Sequence, residues 1–330
     1  MGENVSTRLS TDEAQALSLR HFGIRGTVSN LGGERTQNIR IWTDEGKSFT
    51  LKVSDPDEAV ECVELENAAL KHIEAVAPQV CAPRVVPTLN GEDTVLLERD
   101  DNRYLRLLTY IEGTPFSLSK DPPKVLAQAI GKGLAQLDAA LLSFHHPFSI
   151  NRDLLWDIKK IERTKSFIPL VNRDRRSLVE EMFQRFEENV EQHWAHLPSQ
   201  SVHSDMNGQN ILIDGENLAG FIDFGDLVYG PRLVDLAGAT LLQVCGNSSD
   251  LEKASEVVRA YDQVSQLDEI EIKILPDVMI ARCLINLCVT EFLAELDPGN
   301  RQYIMKNNDA SWKRLTQLAF LKQHPLLNIL

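Results

Sequence analysis

Two short polar segments carry the residues whose types and spacing could do chemistry. The first places His203, Asp205 and Asn210 in the pattern H-x-D-x-x-x-x-N, and the second holds Asp223 at the head of the triplet D-F-G. These patterns form the catalytic loop and the metal-binding loop of enzymes that transfer phosphoryl groups. Two carboxylates and one carboxamide at this spacing therefore predict Mg²⁺-assisted phosphoryl transfer to a hydroxyl group.

Each residue of these segments has an expected role in that chemistry. We expect Asp205 to accept the proton of the attacking hydroxyl or to orient it, and His203 to support the loop. Asn210 and Asp223 would supply oxygen ligands to Mg²⁺, a cation that keeps several of its own waters. Apolar runs flank a turn at residues 214–217 and predict a hairpin, which would bring Asn210 and Asp223 to the same end.

The same residue types also have ordinary structural uses. Asp and Asn cap helices and fill turns throughout globular proteins, so none of Asp205, Asn210 and Asp223 is diagnostic alone. The structural interpretation weakens because all three occur together at motif spacing around an apolar hairpin.

A lysine ahead of these segments could contact phosphates. Lys52 lies between Leu51 and Val53 in a β-like run, and the following helical segment carries Glu64 and Glu66. In kinases a strand lysine paired with a glutamate of the next helix holds the α- and β-phosphates. We predict such a pair between Lys52 and Glu66, in preference to Glu64; an isolated surface lysine is the alternative.

Two backbone segments could also contact a nucleotide. Gly32 and Gly33 separate two β-like runs, and glycine lets backbone N–H groups approach phosphates closely. An ordinary hairpin loop would have the same composition. The last β-like run ends at Thr109, Tyr110 and Ile111, where the backbone is placed to hydrogen-bond the edge of a purine.

The order of the predicted elements divides the chain into two lobes. β-like runs dominate residues 1–112, whereas residues after about Lys120 are helical apart from the hairpin. Strands followed by helices predict an α+β fold, with an N-terminal nucleotide-binding lobe at 1–112 and a mainly helical lobe at 113–330. We expect the nucleotide in the cleft between them.

Three helices carry specific expectations. Ser10 and Glu13 form a capping box, which predicts a helix that begins there. The pattern over 173–196 predicts one helix. A long helix over 269–296 is expected to break at Pro276, because proline removes a backbone hydrogen bond.

Composition excludes several classes of function. The 330 residues carry a formal net charge of −14, which would repel a nucleic-acid backbone. Five cysteines stand in no C-x-x-C pair, which is typical of reduced thiols in the cytoplasm. Neither a secretory signal nor an apolar run long enough to span a bilayer is present. We expect a cytoplasmic protein without nucleic-acid or membrane partners; its oligomeric state stays open.

With these residues in view, the chain resembles the aminoglycoside phosphotransferase and choline kinase-like superfamily of small-molecule kinases. The resemblance rests on 203–210, on 222–226 and on 229–237. It implies a protein-kinase-like fold, Mg²⁺ as cofactor and ATP or GTP as phosphoryl donor. It also implies that Asp235 braces the catalytic loop.

Within the superfamily the chain is most similar to the hydroxylysine kinase branch. The segments behind this similarity are 31–38, 106–110, 137–141, 152–157 and 223–226. The resemblance implies phosphorylation of the side-chain hydroxyl of 5-hydroxylysine, with GTP as the donor of that branch. Homoserine, choline, methylthioribose or an aminoglycoside would fit the same catalytic residues.

An amine-bearing acceptor would favour a carboxylate nearby. Asp157 and Asp226 are the candidates, with Trp156 as a possible cation–π wall. A turn position for Asp157 and core packing for Trp156 are the alternatives.

Two other functions are disfavoured. A protein kinase would need an activation loop and an A-P-E element, but the segment after Gly225 is too short for them. A regulator that binds nucleotide without catalysis would lack base or metal residues, whereas Asp205, Asn210 and Asp223 are all present.

Overall fold

The computed structural model describes residues 8–32, 36–97, 102–119, 121–244 and 250–320. Gly33, one of the predicted nucleotide contacts, lies outside these ranges. The chain forms two compact units. The first unit combines Met1–Gly113 with Ala219–Gly225, and the second combines Thr114–Leu218 with Asp226–Leu330.

The segment Ala219–Gly225 thus belongs to the first unit, although the sequence-based division assigned it to the helical lobe. A close backbone contact attaches it there. The N–H of Phe221 donates to the carbonyl of Cys81 at 2.9 Å. Gly220 permits this approach, since a Cβ at this position would lie 2.6 Å from the same carbonyl oxygen.

The first unit is an antiparallel sheet with two helices. Its elements are α1 (Thr11–Phe22), β1 (Thr27–Gly32), β2 (Gln37–Trp42), β3 (Ser48–Val53), α2 (Val60–Val76), β4 (Val85–Val86), β5 (Val95–Leu97) and β6 (Arg103–Thr109). The strand order is β1-β2-β3-β6-β4, and β5 also pairs with β6. Alternate apolar residues of the central strands, such as Ile39, Leu51 and Leu107, form a buried core with Ala14 and Phe22 of α1. The period-2 pattern of these strands is what one buried face requires.

The second unit is mainly helical. Its helices are α3 (Lys124–Leu141), α4 (Pro147–Asn151), α5 (Arg173–Phe186), α6 (Gln192–Trp194), α7 (Leu233–Leu241), α8 (Asp250–Asp262), α9 (Glu269–Leu296), α10 (Arg301–Ile304) and α11 (Asn308–Ala319). Helix α9 packs against α5, α7 and α11, while α3 packs against α8. The predicted α+β class, with the sheet first and the helices second, is confirmed.

Short strands hold the loops of the second unit. They are β7 (Thr114–Pro115), β8 (Ser199–Val202), β9 (Ile211–Asp214) and β11 (Val228–Pro231); β10 (Asn217–Phe221) begins in this unit and ends in the first. Strand β7 pairs with β9, and β8 pairs with β11. Strand β8 ends immediately before the first motif segment, and β11 begins shortly after the second.

One helix prediction is wrong. Helix α9 is continuous from Glu269 to Leu296 and contains Pro276. The proline removes one N–H donor, but the helix is buried on both sides of it, and its neighbour Asp277 binds Arg185 with 2.6 Å between Oδ1 and Nε. Tertiary contacts therefore outweigh the lost bond. The helix predicted over 173–196 is confirmed as one helical segment from Arg173 to Trp194, with a π-helical turn at Glu187–Glu191 inside it.

The capping box is confirmed. Ser10 accepts from the N–H of Glu13, the Glu13 carboxylate accepts from the N–H of Ser10, and Gly23 ends α1 in the left-handed conformation with φ 68°. None of the described helices is both long enough and apolar enough to cross a membrane.

Candidate active site

Backbone strain marks both motif segments. Among the described residues, Ser204 and Asp223 are the two non-glycine residues with positive φ, at 67° and 65°. A non-glycine residue in this region costs about 1–3 kcal/mol and persists only when its surroundings hold it. One of these residues immediately precedes Asp205, and the other is the first residue of D-F-G.

A buried carboxylate holds the strained turn before Asp205. Asp235, near the start of α7, accepts from the backbone N–H of His203 and from that of Ser204, both at 2.7 Å. Burial raises the pKa of the Asp235 carboxyl, although His203 and the two backbone donors oppose the rise. His203 is itself buried, and its Nδ1 lies 3.3 Å from the N–H of Asp205. His203 and Asp235 therefore both fix the backbone of the loop.

Two amides fix the Asp205 carboxylate. Its Oδ2 accepts from Nδ2 of Asn210 at 2.8 Å and from Nδ2 of Asn207 at 2.7 Å. Asn210 donates to the carbonyl of Asp205 as well, at 3.0 Å, so its amide nitrogen faces Asp205 and its oxygen is left for another ligand. Asn207 was missed by the sequence analysis, although it lies inside the motif.

An arginine far along the chain completes the surroundings of Asp205. Nη2 of Arg282, in α9, lies 2.5 Å from Oδ1 of Asp205, and its Nη1 lies 3.4 Å from the carbonyl of Trp156. The two charged side chains are partly buried, with 17% of Arg282 and 23% of Asp205 exposed. The sequence around Arg282 contains no motif that could have identified it.

The candidate acceptor residues lie in the second unit. Asp157 caps the 3₁₀ segment Ile158–Leu170, with its Oδ1 accepting from the N–H of Lys159 at 2.9 Å. The other oxygen, Oδ2, is buried without a hydrogen-bond partner, and burial raises the pKa of this carboxyl. Trp156 is half-buried beside it, and Asp226 is half-buried at the end of the 3₁₀ turn Phe224–Asp226.

An ion-pair cluster in the first unit joins three elements. Nζ of Lys52, on β3, lies 3.0 Å from Oε1 of Glu66, on α2, and 3.3 Å from Oδ1 of Asp223. The other oxygen of Glu66 binds Arg106 on β6. Glu66 is thus the partner of Lys52, whereas Glu64 is exposed.

The surroundings of Lys52 and Glu66 favour the charged form of each. Burial acts to lower the pKa of Lys52, but the carboxylates of Glu66 and Asp223 outweigh it, and the pKa rises above its ordinary value. Burial acts to raise the pKa of Glu66, but Arg106 and Lys52 hold it down at about 2. A fixed ammonium group with a fixed counter-ion is suited to bind phosphate oxygens.

The backbone at the end of β6 is largely occupied. The N–H of Thr109 donates to the carbonyl of Arg84 at 2.8 Å, and that of Tyr110 donates to the carbonyl of Ser48 at 3.1 Å. Among the three residues expected to contact a purine, this leaves the N–H of Ile111 as the candidate donor. Gly32, at the end of β1, has φ 87° and open space where a Cβ would project.

The two residues predicted to bind a metal each present an oxygen donor. The described residues contain no group of three or more His, Cys, Asp and Glu side chains that could hold a metal ion. Mg²⁺ needs fewer protein ligands, because it takes one or two carboxylates plus waters and phosphate oxygens. Asp223, with 55% of its side chain exposed, and the amide oxygen of Asn210 are hard oxygen donors of this kind.

Comparisons with known proteins point in the same direction as the geometry. The family model described as "Phosphotransferase enzyme family" matches residues 27–267. Hydroxylysine kinase of Mus musculus is 27% identical to the chain over 345 residues, covering 94% of this chain and 90% of that protein.

Solved structures show the same fold. A microcompartment-associated aminopropanol kinase has a TM-score of 0.75 at 17% identity, covering 94% of this chain and 97% of that one. Amicoumacin kinase in complex with AMP-PNP and Ca²⁺ has a TM-score of 0.67 at 14% identity, covering 94% and 96%. The protein-kinase-like fold expected from the sequence is confirmed.

Proposed function

Because the chain belongs to the phosphotransferase enzyme family, we propose that it transfers the γ-phosphoryl group of ATP or GTP to the alcohol hydroxyl of a hydroxylated amino acid, best 5-hydroxylysine. One observation carries the proposal. The carboxylate of Asp205 is fixed through Oδ2 by the amides of Asn207 and Asn210, at the end of a strained loop. Such a carboxylate is pre-oriented to receive a proton.

The roles of the side chains follow from their charges. Asp205 takes the proton of the acceptor hydroxyl, and Asp235 with His203 holds the loop in place. Lys52, oriented by Glu66, binds phosphate oxygens.

Metal and nucleotide contacts are part of the same proposal. Asn210 and Asp223 supply oxygen ligands to Mg²⁺, which would neutralise charge on the transferred phosphoryl group. The backbone at Gly32 would cover the phosphates, and that at 109–111 would contact the base.

The acceptor is inferred from the curated relative and from charge. Hydroxylysine carries a hydroxyl group and amines, and the mouse relative is a hydroxylysine kinase. We assign the acceptor amine to Asp157 or Asp226, with Trp156 beside it. Asp157 is favoured by its buried, unpartnered Oδ2, which an ammonium group would satisfy. Homoserine, choline, methylthioribose and aminoglycosides remain the competing acceptors.

We further propose that the protein works in the cytoplasm on small molecules alone. Its net charge of −14 disfavours nucleic acid. Cys81, Cys283 and Cys288 carry free thiols, as in a reducing compartment.

Donor and acceptor are tested separately. Thermal unfolding with Mg·ATP and with Mg·GTP identifies the donor, and turnover against hydroxylysine and the competing acceptors identifies the substrate. We expect Asp223→Ala, which removes the oxygen ligand, to abolish the metal-dependent part of the stabilisation, and Asp44→Ala, at an exposed position in the same unit, to retain it. Full stabilisation of Asp223→Ala would refute the metal assignment.

A further inference from the structure

Arg282 contacts Asp205, the proposed base, and the backbone of Trp156, which precedes the proposed amine-binding residue Asp157. One guanidinium nitrogen lies 2.5 Å from Oδ1 of Asp205, and another lies 3.4 Å from the carbonyl of Trp156, the residue before Asp157. The side chain is 17% exposed, so water screens its charge only partly.

Proton transfer removes the counter-ion of Arg282. Oδ2 of Asp205 accepts from two amides, whereas Oδ1 accepts from Arg282 alone, so Oδ1 is the oxygen with room for the acceptor hydroxyl. As the hydroxyl oxygen forms its bond to the γ-phosphorus and the bond to the nucleoside diphosphate breaks, the hydroxyl proton passes to Asp205. The carboxyl group is then neutral, and the guanidinium of Arg282 has lost its anion.

An acceptor with a carboxylate group would supply Arg282 with a second counter-ion. A carboxylate matches the guanidinium fork with two parallel hydrogen bonds. Asp157 supplies the opposite charge nearby, because its buried Oδ2 has no partner and suits an ammonium group. One fixed cation and one fixed anion complement a zwitterion better than they complement a purely cationic amine.

We infer that Arg282 is a specificity-determining residue that binds the carboxylate of the acceptor, so that the site selects hydroxylated amino acids over amino alcohols and amino sugars. The inference rests on the proposed function, whose acceptor class it narrows. Before proton transfer Arg282 also donates to Oδ1 of Asp205, and afterwards the acceptor carboxylate remains as its counter-ion.

Matched acceptors test the inference without any mutation. Hydroxylysine is compared with its carboxamide, and homoserine with homoserinamide, since each pair differs only in the carboxylate. We expect kcat/KM of the wild type to favour the acid about 100-fold, the discrimination of a charge-assisted hydrogen bond. A wild type that phosphorylates the amides, or choline, as well as the acids would overturn the inference and leave the kinase assignment intact.

Substitutions of Arg282 test whether the preference for the acid depends on its guanidinium group. We expect Arg282→Gln to bring the acid-to-amide ratio near one, and Arg282→Lys to give an intermediate ratio. Arg173→Gln, on the exposed surface of α5, should keep the wild-type ratio. If both acceptors lost kcat equally and the ratio stayed at its wild-type value, Arg282 would only position Asp205. A wild type that phosphorylates neither acids nor amides would instead contradict the proposed function itself.

Discussion

The carboxylate of Asp235 accepts from the backbone N–H of Ser204 at 2.7 Å, at one of the two described non-glycine positions with positive φ. The same carboxylate accepts from the next N–H along the chain, that of His203. One side chain thereby fixes two adjacent peptide groups in front of Asp205. The position of the proposed base depends on a residue that does not touch the reacting atoms.

Asp235→Asn tests this dependence. An amide presents one oxygen and one NH₂ group, so one of the two backbone N–H groups would face a donor. We expect unfolding free energy to fall by about 1–3 kcal/mol and kcat to fall, while the KM for nucleotide stays near the wild-type value. Denaturant unfolding and steady-state kinetics measure these quantities. An unchanged kcat would show that the loop holds its shape without this carboxylate.

Glu66→Gln tests the ion-pair cluster through pH. The carboxyl pKa is lowered from 4.5 to about 2 in the folded protein, so its charge stabilises the fold above pH 4.5, and this contribution is lost as pH falls toward 2. By the pKa difference it is worth about 3 kcal/mol at neutral pH. Unfolding of the variant and the wild type should differ most near pH 7 and converge in acid.

The exposed Glu64 provides the control for Glu66. Glu64→Gln lies on the same helix and should leave both stability and nucleotide affinity unchanged. Glu66→Gln should weaken nucleotide binding, because Lys52 loses its fixed partner. Equal effects of the two substitutions would argue against the assigned pair.

Asp157→Asn should separate stability from function. Burial raises the pKa of this carboxyl, so ionisation of Asp157 lowers the free energy of unfolding as pH rises. The amide of Asn does not ionise and avoids this decrease. We expect the variant to be more stable than the wild type at pH 8, with the difference shrinking toward pH 4. The KM for the acceptor should rise in the same variant. A less stable variant with an unchanged KM would identify Asp157 as a structural cap alone.

The sequence predicted those parts of the site that are local. Asp205 and Asn210 share one loop, so their spacing was informative before any fold was known. Glu66 was predicted in preference to Glu64 as the partner of Lys52, and the structure pairs Lys52 with Glu66.

Other features depend on contacts that no local pattern encodes. Arg282 reaches Asp205 from a separate helix, 77 positions along the chain. Strand β8 has four residues, too few to show a periodic pattern, and exists through its pairing with β11. Pro276 lacks a backbone N–H and therefore predicts a break, yet the burial of α9 keeps that helix continuous.

Transfer of a radiolabelled γ-phosphoryl group to hydroxylysine is the most direct test of the proposed function. With Mg²⁺ and labelled ATP or GTP, the wild type should place the label on the side-chain hydroxyl. Asp205→Asn should lower kcat by about 10²–10⁴-fold, the usual contribution of a general base, without weakening nucleotide binding. Asp214→Asn, the same substitution at the exposed end of β9, should keep the wild-type rate. Label that passes only to water, or an Asp205→Asn variant as fast as the wild type, would contradict the account.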